Sequence, residues 1–232
     1  LELGGKSPIL VMEDADIERA ADQVMAGLYF NAGQICSATS RLIVHASIAD
    51  ALYAALGRRI DALVLGDPLE ETTTMGPLTH ARQKDNVEDY LAVAAEEGLS
   101  AVRDKRDCCL PEQGFFVAPT LYRDVPTTSR LWREEIFGPV LCGRSVASEQ
   151  EAIELANDSD FGLAATVISG DPARARRIGR QLQAGSIWYN SEQLVLPQTA
   201  WGGFKRSGIG RELGPWGLAS YQEVKHVIGP AD

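Results

Sequence analysis

Short, continuous apolar runs and longer stripes of period 3.6 take turns along this chain. The run PILVM (8–12) predicts a buried strand, and from about Asp16 the positions Ile17, Ala20, Ala21, Val24 and Leu28 fall on one helical face. RLIVHA (41–46) predicts a second strand. Ser47 then stands as the cap of a helix carrying Ile48, Leu52, Leu56, Ile60 and Leu63, stopped by Gly66. A third helix is predicted from Thr79 to Gly98 on the stripe Val87, Tyr90, Leu91 and Ala94. RDKRDCCLPEQG (103–114) is polar and irregular, which predicts a loop or hairpin. FFVAPTL (115–121) and PVLCGRSV (139–146) are strand-like, and Ser148 with Glu151 makes a capping box for the next helix. LAATVIS (163–169) predicts another strand, Asp171-Pro172 a helix start, Gly185 its end, and SIWYN (186–190) a further strand. Strands separated by helices predict an α/β fold, a mostly parallel open sheet covered by helices on both faces.

The final stretch breaks this rhythm. WGGFKRSGIGRELGPWG (201–217) is rich in glycine, which suits a chain running close to a ligand or to other backbone. YQEVKHVIG (221–229) alternates as a terminal strand, and so little chain follows that its expected partner is another sheet or subunit. No repeat or low-complexity linker is visible.

Composition narrows the function classes. The 232 residues are 45% hydrophobic and 23% charged, ordinary for a globular protein, with a formal charge of -10. That balance argues against nucleic acid or an anionic membrane as a partner held by bulk electrostatics. The cluster Arg174, Arg176, Arg177 and Arg180 sits in a helical pattern without interleaved aromatics and is read as a solvated helix face. No apolar run approaches a membrane span and no signal peptide is visible. The four cysteines, Cys36, Cys108, Cys109 and Cys142, form no CxxC pair or zinc-like cluster. They suit reduced thiols in a cytoplasm, since the adjacent Cys108 and Cys109 could form only a strained bridge. His45, His80 and His226 lie in no recognisable triad context.

Two short motifs invite chemistry. Gly5-Lys6-Ser7 looks like the end of a phosphate loop, but the strand signal PILVM follows where such a loop needs a helix N-terminus, so it is not one. Cys36, in FNAGQICSATSR, lies between a helix and a strand among small and polar residues, open to being either a reactive thiol or a bland buried one. Cys142, inside PVLCG, reads as structural.

Taken together, LELGGKSP, GQICSATSR, EEIFGPV and WGGFKRSGIGRELG, in this order, resemble the aldehyde dehydrogenase superfamily along essentially the whole chain. The likeness is nearest to the betaine-aldehyde and aminoaldehyde branch. The resemblance implies that Cys36 is the nucleophile, forming a thiohemiacetal and then a thioester with NAD or NADP as cofactor. It implies that Glu2 is the general base for thioester hydrolysis, with release of a free acid, and that Glu212 is either a proton relay or part of a structural ion pair. Glu135 would hold the nicotinamide-side ribose, Phe137 would pack beside the nicotinamide, and the Gly4 backbone would approach the ring. Trp201 and Phe30 match aromatics lining the aldehyde tunnel, whose faces attract ammonium groups by ~1–2 kcal/mol each when desolvated. Phe30 replaces a tryptophan of close plant relatives, and the small Ser186 would leave room for a bulky head group. Lys205 and Gly208 match positions whose carbonyls bind potassium.

The same resemblance divides the chain into a catalytic domain (1–217) and a C-terminal tail with an oligomerisation strand (218–232). It places the Rossmann-like cofactor domain outside this chain, together with the adenine site and an oxyanion-hole asparagine. The isolated chain is then expected to lack useful turnover, while the complete enzyme is expected to be a cytoplasmic homo-oligomer acting on a small-molecule aldehyde. Two other functions stay open: a cofactor-independent, esterase-like hydrolase using Cys36 and Glu2, and a non-catalytic assembly module.

Overall fold

The computed structural model describes residues 1–104 and 110–231. Its strands are β1 (Pro8–Val11), β2 (Arg41–His45), β3 (Ala101–Asp104), β4 (Thr120–Tyr122), β5 (Val140–Val146), β6 (Phe161–Gly162), β7 (Ala164–Ile168), β8 (Ser186–Tyr189) and β9 (Phe204–Lys205). Its helices are α1 (Ile17–Leu28), α2 (Ala46–Ala62), α3 (Ala81–Glu96), α4 (Arg130–Arg133), α5 (Glu149–Asn157), α6 (Pro172–Gly179) and α7 (Gly214–Ala219).

Seven strands form one sheet in the order β3-β4-β5-β2-β1-β7-β8, all parallel except β3 against β4. The mostly parallel α/β sheet expected from the sequence is therefore present. Ile9 sits between Leu42 of β2 and Thr166 of β7, so β1 is central and every residue in it is buried. Burial on both faces is why β1 and β7 read as unbroken apolar runs rather than alternating ones. Along α1, Ala20, Ala21, Val24, Gly27 and Leu28 are buried, and Asp16 caps the helix by accepting from the Arg19 amide at 2.9 Å.

Arg41 holds the segment before β1 against the sheet. Fully buried, its Nε donates to the Lys6 carbonyl at 2.9 Å, and its Nη atoms donate to the Leu155 and Ala156 carbonyls at 3.1 and 2.9 Å. Its guanidinium also lies 5.3 Å over the Trp132 ring. Lys205 Nζ donates to the Asn157 and Ser159 carbonyls at 2.7 and 3.0 Å. Two cations thus satisfy the carbonyl end of α5, where the helix dipole favours positive charge.

Several local expectations shift. The cap of α2 is His45, not Ser47: Nε2 of the ring lies 3.2 Å from the Ala147 carbonyl, and Nδ1 faces the Ser47 amide at 3.4 Å. Helix α6 ends at Gly179, well before Gly185, because the Asn157 side chain takes the Gln181 carbonyl and the Gln183 amide at 3.0 and 2.8 Å. FFVAPTL contributes only the short β4, and the glycine-rich stretch holds α7 and β9. Residues 223–231 are exposed and pair with no strand among the described residues of this chain. Arg174 is less solvated than expected, bonding Glu13 in the turn before α1 and Glu149 of α5. The expectation about Cys108 and Cys109 falls outside the described residues, as does the middle of 103–114. Among the described residues no helix is long and apolar enough to cross a membrane.

Candidate functional site

The chemistry-bearing residues gather at the amino ends of the parallel strands. Glu2, Gly4 and Gly5 precede β1, Cys36 precedes β2, and Glu135 precedes β5. Open α/β sheets more often bind ligands at the carboxyl ends. Here the amino ends are where three separate chain segments meet. The Gly5 amide donates to Glu135 Oε1 at 2.9 Å. A Cβ at Gly4 would run into the Glu135 carboxylate, and one at Gly5 would run into the Cys36 carbonyl. The glycine pair thus lets the acid and the cysteine loop close on the same stretch of backbone.

The Cys36 loop is built from unusual backbone. Asn31, Ala32 and Gly33 are all left-handed, with φ of 51, 54 and 75°. For alanine this conformation costs roughly 1–2 kcal/mol. Reciprocal bonds hold it, Asn31 Nδ2 to the Gln34 carbonyl and Gln34 Nε2 to the Asn31 carbonyl, each 3.1 Å. Gln34 Oε1 also accepts from the Thr79 amide at 2.9 Å. Gly33 presses on the Gly138 carbonyl, where a side chain has no room. Gly33→Ala is therefore expected to destabilise the fold by about 1–3 kcal/mol. A thermal melt reads this as a Tm loss of roughly 2–4 °C per kcal/mol, and an unchanged Tm contradicts it.

Electrostatics link the carboxylates to the thiol. Burial, then the Glu2 carboxylate and more weakly Glu135, push the half-buried Cys36 thiol up. Glu2 is itself raised, by partial burial and by Glu212. Burial raises Glu135, opposed by the Gly5 amide and the Lys6 ammonium. Lys6 is enclosed, and desolvation brings it down to about 8. Glu2 and Glu212 line a cavity of about 610 Å³ with Trp201, Arg211, Leu213 and Tyr221. Trp201 and Glu212 exchange backbone hydrogen bonds of 2.9 and 2.7 Å, and the Trp201 ring stands 6.1 Å from that of Trp188.

Phe30 lies elsewhere. It is exposed and lines a second cleft, of about 380 Å³, with Ile35 and Ser37 on either side of Cys36, and with Gln193 and Val195. The two aromatics expected in one tunnel thus line different cavities. Ser186 opens β8 opposite Ala164 and is not among the residues lining either cavity. Phe137, left-handed at φ 58°, is pinned through its carbonyl by Gln83 Nε2 at 2.8 Å and lies beside Glu135 and Gly5. Ser37 and Gln193, bonded at 3.3 Å, escaped the sequence analysis. Only the adjacency of Ser37 to Cys36 could have pointed to them.

Glu135 is the residue on which the cofactor expectation turns. With Glu135 Oε1 on the Gly5 amide, Oε2 has no hydrogen-bond partner among the described residues. An anchored carboxylate with open acceptor capacity fits a pair of ribose hydroxyls. The Lys205 carbonyl accepts from the Gly208 amide at 3.4 Å, and the Lys205 ammonium donates to the carbonyls of Asn157 and Ser159.

Known proteins carry the same architecture. A betaine aldehyde dehydrogenase from Staphylococcus aureus, solved in complex with NAD+, superposes with a TM-score of 0.91 at 42% identity, over 95% of this chain and 44% of that one. An aldehyde dehydrogenase from Bacillus cereus superposes with a TM-score of 0.93 at 40% identity, over 97% of this chain and 45% of its own. By sequence, a chloroplastic aminoaldehyde dehydrogenase of Arabidopsis thaliana is 46% identical over 98% of this chain, and the chloroplastic betaine aldehyde dehydrogenase of Beta vulgaris is 43% identical over the same share. The chain spans 45% of the length of each of these two curated relatives. With the aldehyde dehydrogenase family model matching residues 1–227, the chain belongs to the aldehyde dehydrogenase family.

Proposed function

We propose that the protein carrying this chain oxidises an aldehyde to a carboxylic acid, with Cys36 as nucleophile and Glu2 as base. The observation that supports it most is the convergence of Cys36, Glu2 and Glu135 around the Gly4-Gly5 backbone at the amino ends of β1, β2 and β5. Glu2 is the carboxylate whose charge bears most on Cys36, which supports its acting on the adduct that Cys36 forms. Attack on the aldehyde carbon gives a thiohemiacetal on Cys36. Bound NAD or NADP supplies the hydride acceptor that turns this adduct into a thioester. Glu2, its affinity for protons raised by burial and by Glu212, then takes a proton from water as that water attacks the thioester carbon. Glu212 acts on the reaction through the charge of Glu2.

Glu135 would hold the nicotinamide-side ribose through its open carboxylate oxygen, Phe137 would pack beside the nicotinamide, and Gly4 would keep the approach free of a side chain. Phe30 lines the cleft bordering Cys36, a path open to the aldehyde, while Trp201 lines the separate cavity with Glu2 and Glu212. Cys36 must stay a free thiol, which supports a reducing compartment such as the cytoplasm. The exposed Trp216, Leu218, Tyr221, Val224, Val227 and Ile228 support assembly into an oligomer through the C-terminal tail.

The test follows NAD(P)H formation and acid release with a panel of aldehydes, using the protein that carries this chain. The 232 residues alone are expected to give no turnover and negligible NAD+ binding by calorimetry, because their relatives are about twice as long. Micromolar NAD+ binding by the isolated chain contradicts that part. Ester cleavage without aldehyde oxidation favours the hydrolase instead.

A further inference from the structure

Lys6 takes no part in the chemistry proposed above, yet it is among the largest fully buried side chains of the protein. It is 1% exposed, and Nζ has no hydrogen-bond partner among the described residues. An ammonium so enclosed keeps its charge only where opposite charge lies close by. The backbone around it is fixed on both sides. The Lys6 carbonyl accepts from Arg41 Nε at 2.9 Å, and the preceding Gly5 amide donates to Glu135 Oε1 at 2.9 Å.

The titratable groups that act on Lys6 are Cys142 of β5, Arg41 of β2, and Glu134 and Glu135 in the segment between α4 and β5. Three of them are already committed. Cys142 Sγ donates to the Leu131 carbonyl at 3.4 Å, and desolvation pushes this thiol up, so it stays protonated. Arg41 spends its guanidinium on the Lys6, Leu155 and Ala156 carbonyls and on the face of Trp132. Glu134 accepts from Arg130 Nε and Nη2 at 3.0 and 2.9 Å and from the Tyr90 hydroxyl at 2.8 Å. Glu135 is different. One of its oxygens rests on the Gly5 amide and the other has no partner among the described residues. The cation acting on it is Lys6, and its own charge reaches the Cys36 thiol. Lys6 and Glu135 are therefore two incompletely compensated charges, opposite in sign, against one short stretch of backbone.

We propose that Lys6 is a positioning residue for the cofactor: its enclosed ammonium is the counter-charge that keeps the Glu135 carboxylate ionised, so that the open oxygen can accept from the ribose hydroxyls. A protonated carboxyl would lose part of that acceptor capacity. Being enclosed, Lys6 touches no ligand itself. It carries its proton below about 8, so its charge is present across the acid range in which Glu135 titrates. Burial raises Glu135 and the ammonium opposes that rise, so without the ammonium the carboxylate protonates at a still higher pH. The inference rests on the ribose role proposed for Glu135.

The experiment measures NAD+ affinity by calorimetry across the acid and neutral range, in the protein carrying this chain and in its Lys6→Met and Glu135→Gln variants. Affinity is expected to weaken toward acid as Glu135 takes up a proton. Glu135→Gln keeps an acceptor for the Gly5 amide and is expected to bind weakly, without that acid limb. Lys6→Met is expected to move the limb upward by about one pH unit or more, binding NAD+ roughly tenfold more weakly on the limb and recovering at higher pH. A merely structural loss weakens binding at every pH or lowers the fraction of molecules that bind. In the unaltered protein, the 13C-labelled Glu135 carboxyl, identified by its loss in Glu135→Gln, should show a second inflection at about 8 as Lys6 gives up its proton. A limb that Lys6→Met leaves in place, a uniform loss, or no second inflection overturns the inference while the ribose role stands. Affinity and limb unchanged in Glu135→Gln overturn the ribose role and the inference with it.

Discussion

Cys36→Ala is expected to lower aldehyde oxidation by roughly 10⁴-fold or more, the scale of removing a covalent nucleophile. The folded protein should survive, because Cys36 is only partly buried in a loop held by Asn31 and Gln34 rather than packed in the core. Cys142→Ala supplies the contrast. Its thiol is buried in β5 and donates to the Leu131 carbonyl at 3.4 Å, so its loss should show in the melting curve and leave the rate nearly intact. Rates and thermal melts on both variants check this pair. Comparable rate losses in the two contradict it.

Glu2→Gln is expected to divide the reaction in time. Thioester formation continues for one turnover, giving a burst of NAD(P)H, and the steady rate then falls by about 10²–10⁴ because water lacks its base. The pH profile carries the same information. Burial and Glu212 raise Glu2, so it protonates at a higher pH than an ordinary carboxylate, and the rate should drop on the acid side above the usual carboxylate range. Glu212→Gln removes a repelling charge and should move that acid limb downward. An acid limb that Glu2→Gln leaves in place assigns the base elsewhere.

Much of the sheet was legible because its central strands are buried on both faces and need unbroken apolar runs, as in Ile9, Leu10 and Val11. Caps that use neighbouring residues were legible too: Ser148 accepts from the Glu151 amide, and Asp171 from that of Ala173. Failures came where distant side chains decide. Asn157 ends α6 from across a loop, and His45 caps α2 only because β5 brings the Ala147 carbonyl to its ring. The motifs around Cys36, Glu2 and Glu135 could be found in the sequence, but their meeting at Gly4 and Gly5 could not. That meeting depends on the parallel order of β1, β2 and β5. The place of Lys6 was hidden for a like reason, since GGKS reads only as a failed phosphate loop until its ammonium is found buried without a partner.

Intact-protein mass spectrometry of the Glu2→Gln variant, mixed with an aldehyde and NAD+ and followed by peptide mapping, tests the central claim most directly. The expected result is an acyl group on Cys36, with the mass of the aldehyde less two hydrogen atoms and sensitive to hydroxylamine. Absence of an adduct, an adduct on another residue, or one with the mass of the unoxidised aldehyde contradicts the proposed chemistry.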